Sequence, residues 1–236
     1  MGLDIQCELV LGESRQPTDH PLILVLHGQG DSMEPFRDFP EEIGQPRFNY
    51  LLLNAPFRQG RGYAWYRSEP QHRPGIIKST ALIVELIYEL IEEGWASEQI
   101  YLFGLSQGGL IAFQVALQFP LPLGGVIGSS TYIHFSRDWQ KSLLPHHRRL
   151  PAIMTHGFED REIPLREAQL DRQRLQKAGI RVEWLVMDKG HEVDEEIESP
   201  LIGRWILKQA EKRKSKRSRA KTKRPSAEVQ TGAFAL

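Results

Sequence analysis

The sequence predicts an α/β fold in which a mostly parallel central sheet carries helices on both faces. Six apolar runs have the length of strands, and most are continuously apolar, as strands buried on both faces of a parallel sheet are. Segments with helical periodicity separate them, and this alternation favours a parallel sheet. The 236 residues are also enough to bury a substantial core.

The strands are predicted from apolar runs that are bounded by polar or turn-forming residues. In chain order they are Leu22–Leu26, Tyr50–Leu53, Ile100–Phe103, Leu123–Ile127, Ala152–Thr155 and Val182–Met187. A weaker run at Cys7–Leu11 is a candidate edge strand.

Helices are predicted where apolar residues recur with a period near 3.6. The four segments are Ile77–Ile91, Gln107–Phe119, Leu165–Lys177 and Pro200–Lys212. Stops follow the first three at Gly94, Pro120 and Gly179. In the first helix we expect one buried face, formed by Ile77, Val84, Ile87, Tyr88 and Ile91.

The net charge is zero, but the two signs are unevenly distributed. From Lys208 to the end there are ten Lys and Arg against two Glu, and residues 1–207 carry an excess of acidic groups. The segment after Lys212 has no periodic apolar face and a dense run of like charge, which is typical of disorder. We therefore expect an α/β domain over residues 1–212 and a disordered basic tail over 213–236. Such a tail would bind polyanions weakly and with a strong salt dependence.

No targeting or membrane-spanning segment is evident in the sequence. Its first ten residues lack the basic and apolar regions of a secretory signal, and no apolar run approaches the roughly 18 residues that span a membrane. Cys7 is the only cysteine, which excludes an internal disulfide and a Cys-based zinc site. These features predict a cytoplasmic protein.

A serine between glycines joins the third predicted strand to the helix that follows it. Gly104-Leu105-Ser106-Gln107-Gly108 fits G-x-S-x-G, the nucleophile elbow of α/β hydrolases, which requires this strand–turn–helix context. So sharp a turn strains the central residue, and side chains two positions away would clash, so glycine is needed there. The motif predicts Ser106 as a nucleophile on an α/β-hydrolase fold, with too little remaining chain for a large lid domain.

A serine nucleophile needs a base, and the base needs an acid that orients it. In α/β hydrolases the acid and then the histidine follow the serine along the chain. Asp160 follows the fifth predicted strand and His191 follows the sixth, so both have the expected order and placement. Three other carboxylates are candidates for the acid, namely Glu159, Glu162 and Asp188, and we favour Asp160 over each of them.

The other histidines have less suitable positions. His146 and His147 lie in a basic segment, where we expect surface residues. His156 precedes a glycine after the fifth strand, and we expect it to support the loop that carries the acid.

Acyl transfer also needs hydrogen-bond donors for the oxyanion of the tetrahedral intermediate. One is expected from the backbone N–H of Gln107, the residue after the nucleophile. The second is expected from the loop after an early strand, where Gln29 lies within His27-Gly28-Gln29-Gly30-Asp31. His27 is predicted to buttress this loop.

Four motifs in the same order, "LHGQGD", "GLSQGG", "HGFEDREIP" and "GHEV", resemble the phospholipase/carboxylesterase family of small α/β hydrolases, over roughly residues 20 to 210. That family includes bacterial carboxylesterases and acyl-protein thioesterases. The resemblance implies Ser106 as nucleophile, Asp160 as acid, His191 as base, and Gln29 and Gln107 as oxyanion donors. The segment "APFRQGRGYAWYRS" also resembles the substrate-side loop of the family.

The aromatic residues Phe57, Trp65, Tyr66 and Tyr132 lie in segments expected to border the site, either as substrate contacts or as packing. The resulting prediction is a serine hydrolase of small esters or thioesters that uses no metal or cofactor. Two alternatives stay open: a catalytically silent hydrolase-like protein with a polyanion-binding tail, and a serine peptidase or lactone hydrolase on the same fold.

Overall fold

A computed structural model describes residues 5–67, 72–134 and 139–222, with side chains to residue 215. Its strands are β1 (Cys7–Val10), β2 (Leu22–Leu26), β3 (Asn49–Leu53), β4 (Phe57–Gln59), β5 (Gly62–Ala64), β6 (Ile100–Leu105), β7 (Gly125–Ser129), β8 (Ala152–Gly157) and β9 (Val182–Met187). Its α-helices are α1 (Phe39–Ile43), α2 (His72–Glu92), α3 (Gln107–Ala116), α4 (Leu165–Lys177) and α5 (Glu198–Thr222).

A seven-stranded sheet in the order β1-β3-β2-β6-β7-β8-β9 forms the centre of the molecule. All neighbouring strands are parallel except β1, which pairs with β3 in the antiparallel sense. The predicted α/β-hydrolase architecture is confirmed. Because β6, β8 and β9 run in the same direction, the loops that follow them meet at one edge, which we call the carboxyl edge.

The helices cover both faces of the sheet, and each strand of the centre contributes to two cores. In β2, Leu22, Leu24 and Leu26 pack into one core, with α2 and α3. The intervening Ile23 and Val25 pack into the other, with α1 and α5. This two-sided burial explains why the central strands are apolar at every position.

A small hairpin, β4 with β5, lies outside the main sheet and was not predicted. Each of its strands has only three residues, too few for an alternating pattern to be recognised. A bridge between Asp31 and Tyr63 attaches the hairpin to the loop after β2.

The predicted buried face of α2 is correct only in part, since Ile87 is buried and Val84 and Ile91 pack against the core. Ile77 is 62% exposed and Tyr88 is 42% exposed, whereas Ile76, Ile83 and Leu90 are buried. The helix is apolar on two adjacent faces, so periodicity alone could not select one. The selection follows from tertiary contacts, because the hydroxyl of Ser79, on the buried face, donates a hydrogen bond to the carbonyl of Trp65.

Helix α5 continues to Thr222, beyond the predicted domain boundary at Lys212. Arg213 donates hydrogen bonds to the carbonyl oxygens of Glu98 (2.6 Å) and Leu123 (2.5 Å), so this turn belongs to the body of the protein. Residues 213–222, for which disorder was expected, are helical in the structure, which agrees with the high helix propensity of Lys, Arg and Ala. Residues 223–236, the rest of the predicted tail, lie outside the described residues. None of the helices described here is both long and apolar enough to cross a membrane.

A buried lysine holds the loop that follows β9. The Nζ atom of Lys189 lies 2.8 Å from Oε2 of Glu198 at the start of α5. It also donates to the hydroxyls of Ser129 (3.0 Å) and Ser130 (3.2 Å) and to the carbonyl oxygen of Glu192 (2.6 Å). Both ionic side chains are almost fully buried, with 1% of Lys189 and none of Glu198 exposed.

The glutamate of this pair has further donors. Its carboxylate accepts hydrogen bonds from the hydroxyl of Thr155 in β8 and from the amide of Asp194. The network therefore ties the ends of β7 and β8 to the segment of residues 189–194. A buried ion pair of this kind is costly to break from one side, because the remaining charge is left without a partner.

We predict that Lys189→Met lowers the free energy of unfolding by about 3–5 kcal/mol. The double variant Lys189→Met/Glu198→Gln should recover part of this loss, because no buried charge remains. The single amide oxygen can still accept from the N–H of Asp194, and the amide NH2 can donate to the hydroxyl of Thr155. Urea denaturation monitored by circular dichroism measures both. Arg37→Met, which breaks the exposed pair with Glu8, is the control and should change the midpoint little. A Lys189→Met variant as stable as this control would contradict the account.

Candidate active site

Ser106 lies between β6 and α3 with a backbone conformation that is rare for a residue with a side chain. Its φ is 53° and its ψ is −117°. Conformations of this kind cost about 1–3 kcal/mol and persist only where the surroundings impose them. The sequence prediction of a strained turn at this serine is therefore confirmed by the backbone geometry.

The glycines on either side allow the turn. A Cβ atom on Gly104 would lie 2.3 Å from the backbone of Gly108, and one on Gly108 would lie 2.2 Å from the carbonyl oxygen of Leu26. Both contacts would be with backbone atoms, so rotation of a side chain could not relieve either of them. Any residue larger than glycine would force β6, α3 or β2 to move.

Hydrogen bonds from β7 and the residues after it hold the turn in place. The amide of Ser106 donates to the carbonyl of Ser129 at 3.0 Å. The hydroxyl of Thr131 donates to the carbonyl of Ser106 at 2.7 Å. The serine is thereby fixed at the carboxyl edge, at the N-terminus of α3, where developing negative charge is favoured.

Asp160 follows β8 and has a buried carboxylate. Its Oδ1 atom accepts hydrogen bonds from the amides of Glu162 and Ile163, both at 2.9 Å. Its Oδ2 atom lies 2.9 Å from Nδ1 of His191. Burial by itself would raise the pKa of Asp160, but the Ile163 amide, His191 and the Glu162 amide together hold that pKa below its usual value.

His191 follows β9 and is brought to Asp160 by the loop that Lys189 anchors. Its side chain is 21% exposed, and its Nε2 atom lies 3.9 Å from Oε2 of the exposed Glu162. Among the described residues, no hydrogen bond joins His191 to the hydroxyl of Ser106. The structure thus pairs the predicted acid with the predicted base and leaves the predicted nucleophile unpaired.

The competing carboxylates have other positions. Glu159 and Asp188 are exposed, and neither forms a hydrogen bond or ion pair with His191. Of the three alternatives to Asp160, only Glu162 approaches the imidazole, and it does so from the side of Nε2 rather than Nδ1.

Two backbone amides at this edge have no hydrogen-bond acceptor within the described part of the chain. The backbone N–H groups of Gln29 and Gln107 donate no hydrogen bond to any described residue. The side chain of Gln107 is buried and fixes the surrounding loops. It accepts from the amide of Trp65 at 3.0 Å and donates to the carbonyl of Tyr66 at 3.0 Å and to Oε1 of Gln29 at 3.3 Å. This structural role of the Gln107 side chain was not predicted.

His27 supports the loop after β2, as predicted. Its Nδ1 atom lies 2.6 Å from the carbonyl oxygen of Gly28, and its Nε2 atom accepts from the amide of Ala55 at 3.0 Å. Burial lowers the pKa of His27, so the neutral imidazole bridges the loops after β2 and β3.

His156 and His147 are both buried. Nε2 of His156 lies 2.9 Å from the carbonyl oxygen of Ile163, so this residue supports the acid loop as predicted. The expectation that His147 lies at the surface is wrong, because its ring fills a buried position and reaches the carbonyl of Phe119 at 2.9 Å. Among the described residues, no group of three or more His, Cys, Asp or Glu side chains is arranged to bind a metal ion.

The predicted substrate-side aromatic residues divide into two kinds. Trp65 is fully buried and its indole N–H donates to the carbonyl of His27 at 2.9 Å. Of the two alternatives for Trp65, this burial favours packing, and the ring lies in the core beneath the loops. The hydroxyls of Tyr66 and Tyr132 lie 2.5 Å apart, and burial raises the pKa of both phenols.

Phe57 lies at an open position next to Gln29. Both line a small cavity of about 180 Å3, together with Arg58, Gln59, Ala64 and Arg67. That volume equals about six water molecules of the liquid. This space is the candidate position for part of a substrate beside the amide of Gln29.

Known proteins with similar sequences include enzymes of one family. The sequence model of that family, phospholipase/carboxylesterase, matches residues 8–199. A probable carboxylesterase of Oryza sativa subsp. japonica is 27% identical over 205 residues, which cover 78% of this chain and 76% of the relative. Acyl-protein thioesterase 1 of Aspergillus fumigatus is 30% identical over 181 residues, covering 67% of this chain and 74% of the relative.

Solved structures agree with the fold. The crystal structure of SOBER1 of Arabidopsis thaliana has a TM-score of 0.75 at 23% identity and covers 80% of this chain and 99% of that one. The family match includes the elbow at Ser106 and the loops that carry Asp160 and His191. The chain therefore belongs to the phospholipase/carboxylesterase family of α/β hydrolases.

Proposed function

We propose that this protein is a serine hydrolase that cleaves carboxylic esters or thioesters through an acyl-enzyme on Ser106. Membership of the family supports ester or thioester hydrolysis. The observation that carries the mechanism is the strained turn at Ser106, on the same edge of the sheet as the hydrogen-bonded pair of Asp160 and His191.

His191 is the general base of the proposed reaction. Because Asp160 accepts at Nδ1, that nitrogen carries the proton of the neutral ring, and Nε2 has a free lone pair. The lowered pKa of Asp160 keeps it ionised, so it can stabilise the imidazolium that forms. In resting enzymes the bond between base and nucleophile is often long and tightens when substrate binds.

In the first half-reaction, Oγ of Ser106 attacks the acyl carbon while its proton passes to Nε2 of His191. The amides of Gln29 and Gln107 donate to the resulting oxyanion, a role that fits their lack of other acceptors. When the intermediate collapses, the bond to the leaving oxygen or sulfur breaks and His191 gives it the proton.

In the second half-reaction, water replaces the serine as nucleophile. His191 removes a proton from the water, which attacks the acyl carbon, and the returning proton releases Ser106. The products are a carboxylic acid and an alcohol or thiol, and the enzyme is restored.

The cavity lined by Gln29, one of the two proposed oxyanion donors, favours small substrates. The cavity beside Gln29 has a volume of about 180 Å3, which is below the roughly 300 Å3 of a typical small-molecule pocket. A short acyl chain or a compact leaving group would fit there. A long chain would have to extend over the surface.

We predict turnover of p-nitrophenyl esters, with kcat/KM highest for acetate to butyrate and at least about tenfold lower for decanoate. Ser106→Ala should abolish turnover with the fold intact, and Ser142→Ala, which removes an exposed hydroxyl outside the hydrogen bonds of the site, should retain it. Absence of turnover for the whole series would instead support a catalytically silent binding protein.

We predict that Asp160→Asn lowers kcat by about four orders of magnitude, because the amide favours the wrong tautomer of His191. Steady-state kinetics on the best ester of the series measures the loss. Glu159→Gln and Glu162→Gln are the matched controls and should each retain activity within about tenfold. If Glu162→Gln were the crippling change, the acid would be misassigned.

A further inference from the structure

A second cavity lies at the amino edge of the sheet, opposite Ser106. Its volume is about 350 Å3, and its walls come from the segments directly before β2, β6, β7 and β8 and from α5. The six residues of β6, at about 3.3 Å each, separate the two edges by roughly 20 Å. The volume falls within the range of small-ligand sites, about 300–1,000 Å3. This amino-edge cavity is therefore large enough for a ligand of its own.

The walls of the amino-edge cavity are mostly apolar. They include Pro21, Ala116, Leu123 and Leu150, which are contributed by four separate segments. Helix α5 closes one side, where the hydrogen bonds of Arg213 to the carbonyls of Glu98 and Leu123 fix it. An apolar chain or ring would lose its contact with water on entering this space.

One of the residues that line this cavity carries a buried hydroxyl that has no partner among the described residues. Tyr101 in β6 is fully buried, lines the cavity, and its hydroxyl forms no hydrogen bond with any described residue. Buried hydroxyls in folded proteins nearly always have a partner. Burial raises the pKa of this phenol to about 12, so it remains a donor at neutral pH. The hydroxyl is thus available to donate to an acceptor on a ligand.

The charged groups that line the cavity favour a ligand with a single negative charge. Arg149 and Lys214 line it, and neither forms an ion pair with a described residue. The carboxylates of Asp19 and Glu98 line it as well, so the excess of positive charge is small when Arg213 is included. A ligand with several negative charges would be repelled by the carboxylates of Asp19 and Glu98. A ligand with one carboxylate can place that group next to the cations and away from these two carboxylates.

We propose that the amino-edge cavity binds a small amphipathic monoanion, a medium-chain carboxylate. Its apolar chain contacts the walls, its carboxylate accepts a hydrogen bond from the Tyr101 hydroxyl, and Arg149 and Lys214 supply the counter-charge. The site is distinct from the proposed active site and does not depend on the proposed reaction.

Titration of octanoate into the full chain, followed by isothermal calorimetry, tests the proposal. Octanoate should bind with a dissociation constant below about 1 mM, and 1-octanol and octylammonium should bind at least about tenfold more weakly. Tyr101→Phe should weaken binding about fivefold and Arg149→Gln about tenfold, through loss of one hydrogen bond and one counter-charge. Ester hydrolysis, at the opposite edge, should be unchanged in both variants.

Two matched variants serve as controls. Tyr50→Phe removes another buried hydroxyl that lacks a partner but does not line the cavity. Arg148→Gln removes the neighbouring exposed arginine, which also does not line it. Both should bind octanoate as the wild type does, and all four variants should fold, as circular dichroism can verify.

Several outcomes would overturn the proposal. These are no measurable heat with octanoate, equal affinity for 1-octanol, or equal losses in the test and control variants. Binding that persists in Tyr101→Phe and Arg149→Gln would place the carboxylate elsewhere, for example as a product at Ser106, and would equally reject this site.

Discussion

The backbone of Ser106 is the constraint on which the site depends. Its positive φ is maintained because β6 is a central strand with β2 and β7 on either side. Backbone atoms also pack closely against Gly104 and Gly108, the glycines on either side of the turn. The hydrogen bonds from Ser106 to Ser129 and from Thr131 to Ser106 keep the turn from relaxing. A strain of about 1–3 kcal/mol is stored in a place where the rest of the core prevents its release.

Asp160 and His191 come from the loops after β8 and β9, farther along the same carboxyl edge, so their position depends on what holds those loops. Asp160 is oriented by backbone amides of its own turn. His191 lies on a segment whose stability comes from the buried pair of Lys189 and Glu198, which links it to the ends of β7 and β8. Since β7 also carries Ser129, whose carbonyl holds the amide of Ser106, one set of polar contacts positions both halves of the site.

Much of this arrangement could be predicted, because its signals are local. Continuous apolar strands reflect burial on both faces, and the elbow motif reflects a steric requirement around Ser106. What could not be predicted depends on partners distant in the chain. The face of α2 is selected by the bond from Ser79, the burial of Trp65 by its bond to His27, and the extension of α5 by the anchoring of Arg213. Lysines are rarely buried without a partner, so the burial of Lys189 could not be predicted before its pairing with Glu198 was known.

The most direct test of the central claim, that Ser106 is an activated nucleophile, is covalent labelling with a fluorophosphonate probe followed by peptide mass spectrometry. An activated serine attacks the phosphorus centre, so the account predicts a single adduct on Ser106 in the folded wild type and none in Ser106→Ala. An adduct on another residue, or no adduct in folded protein that still hydrolyses esters, would contradict it.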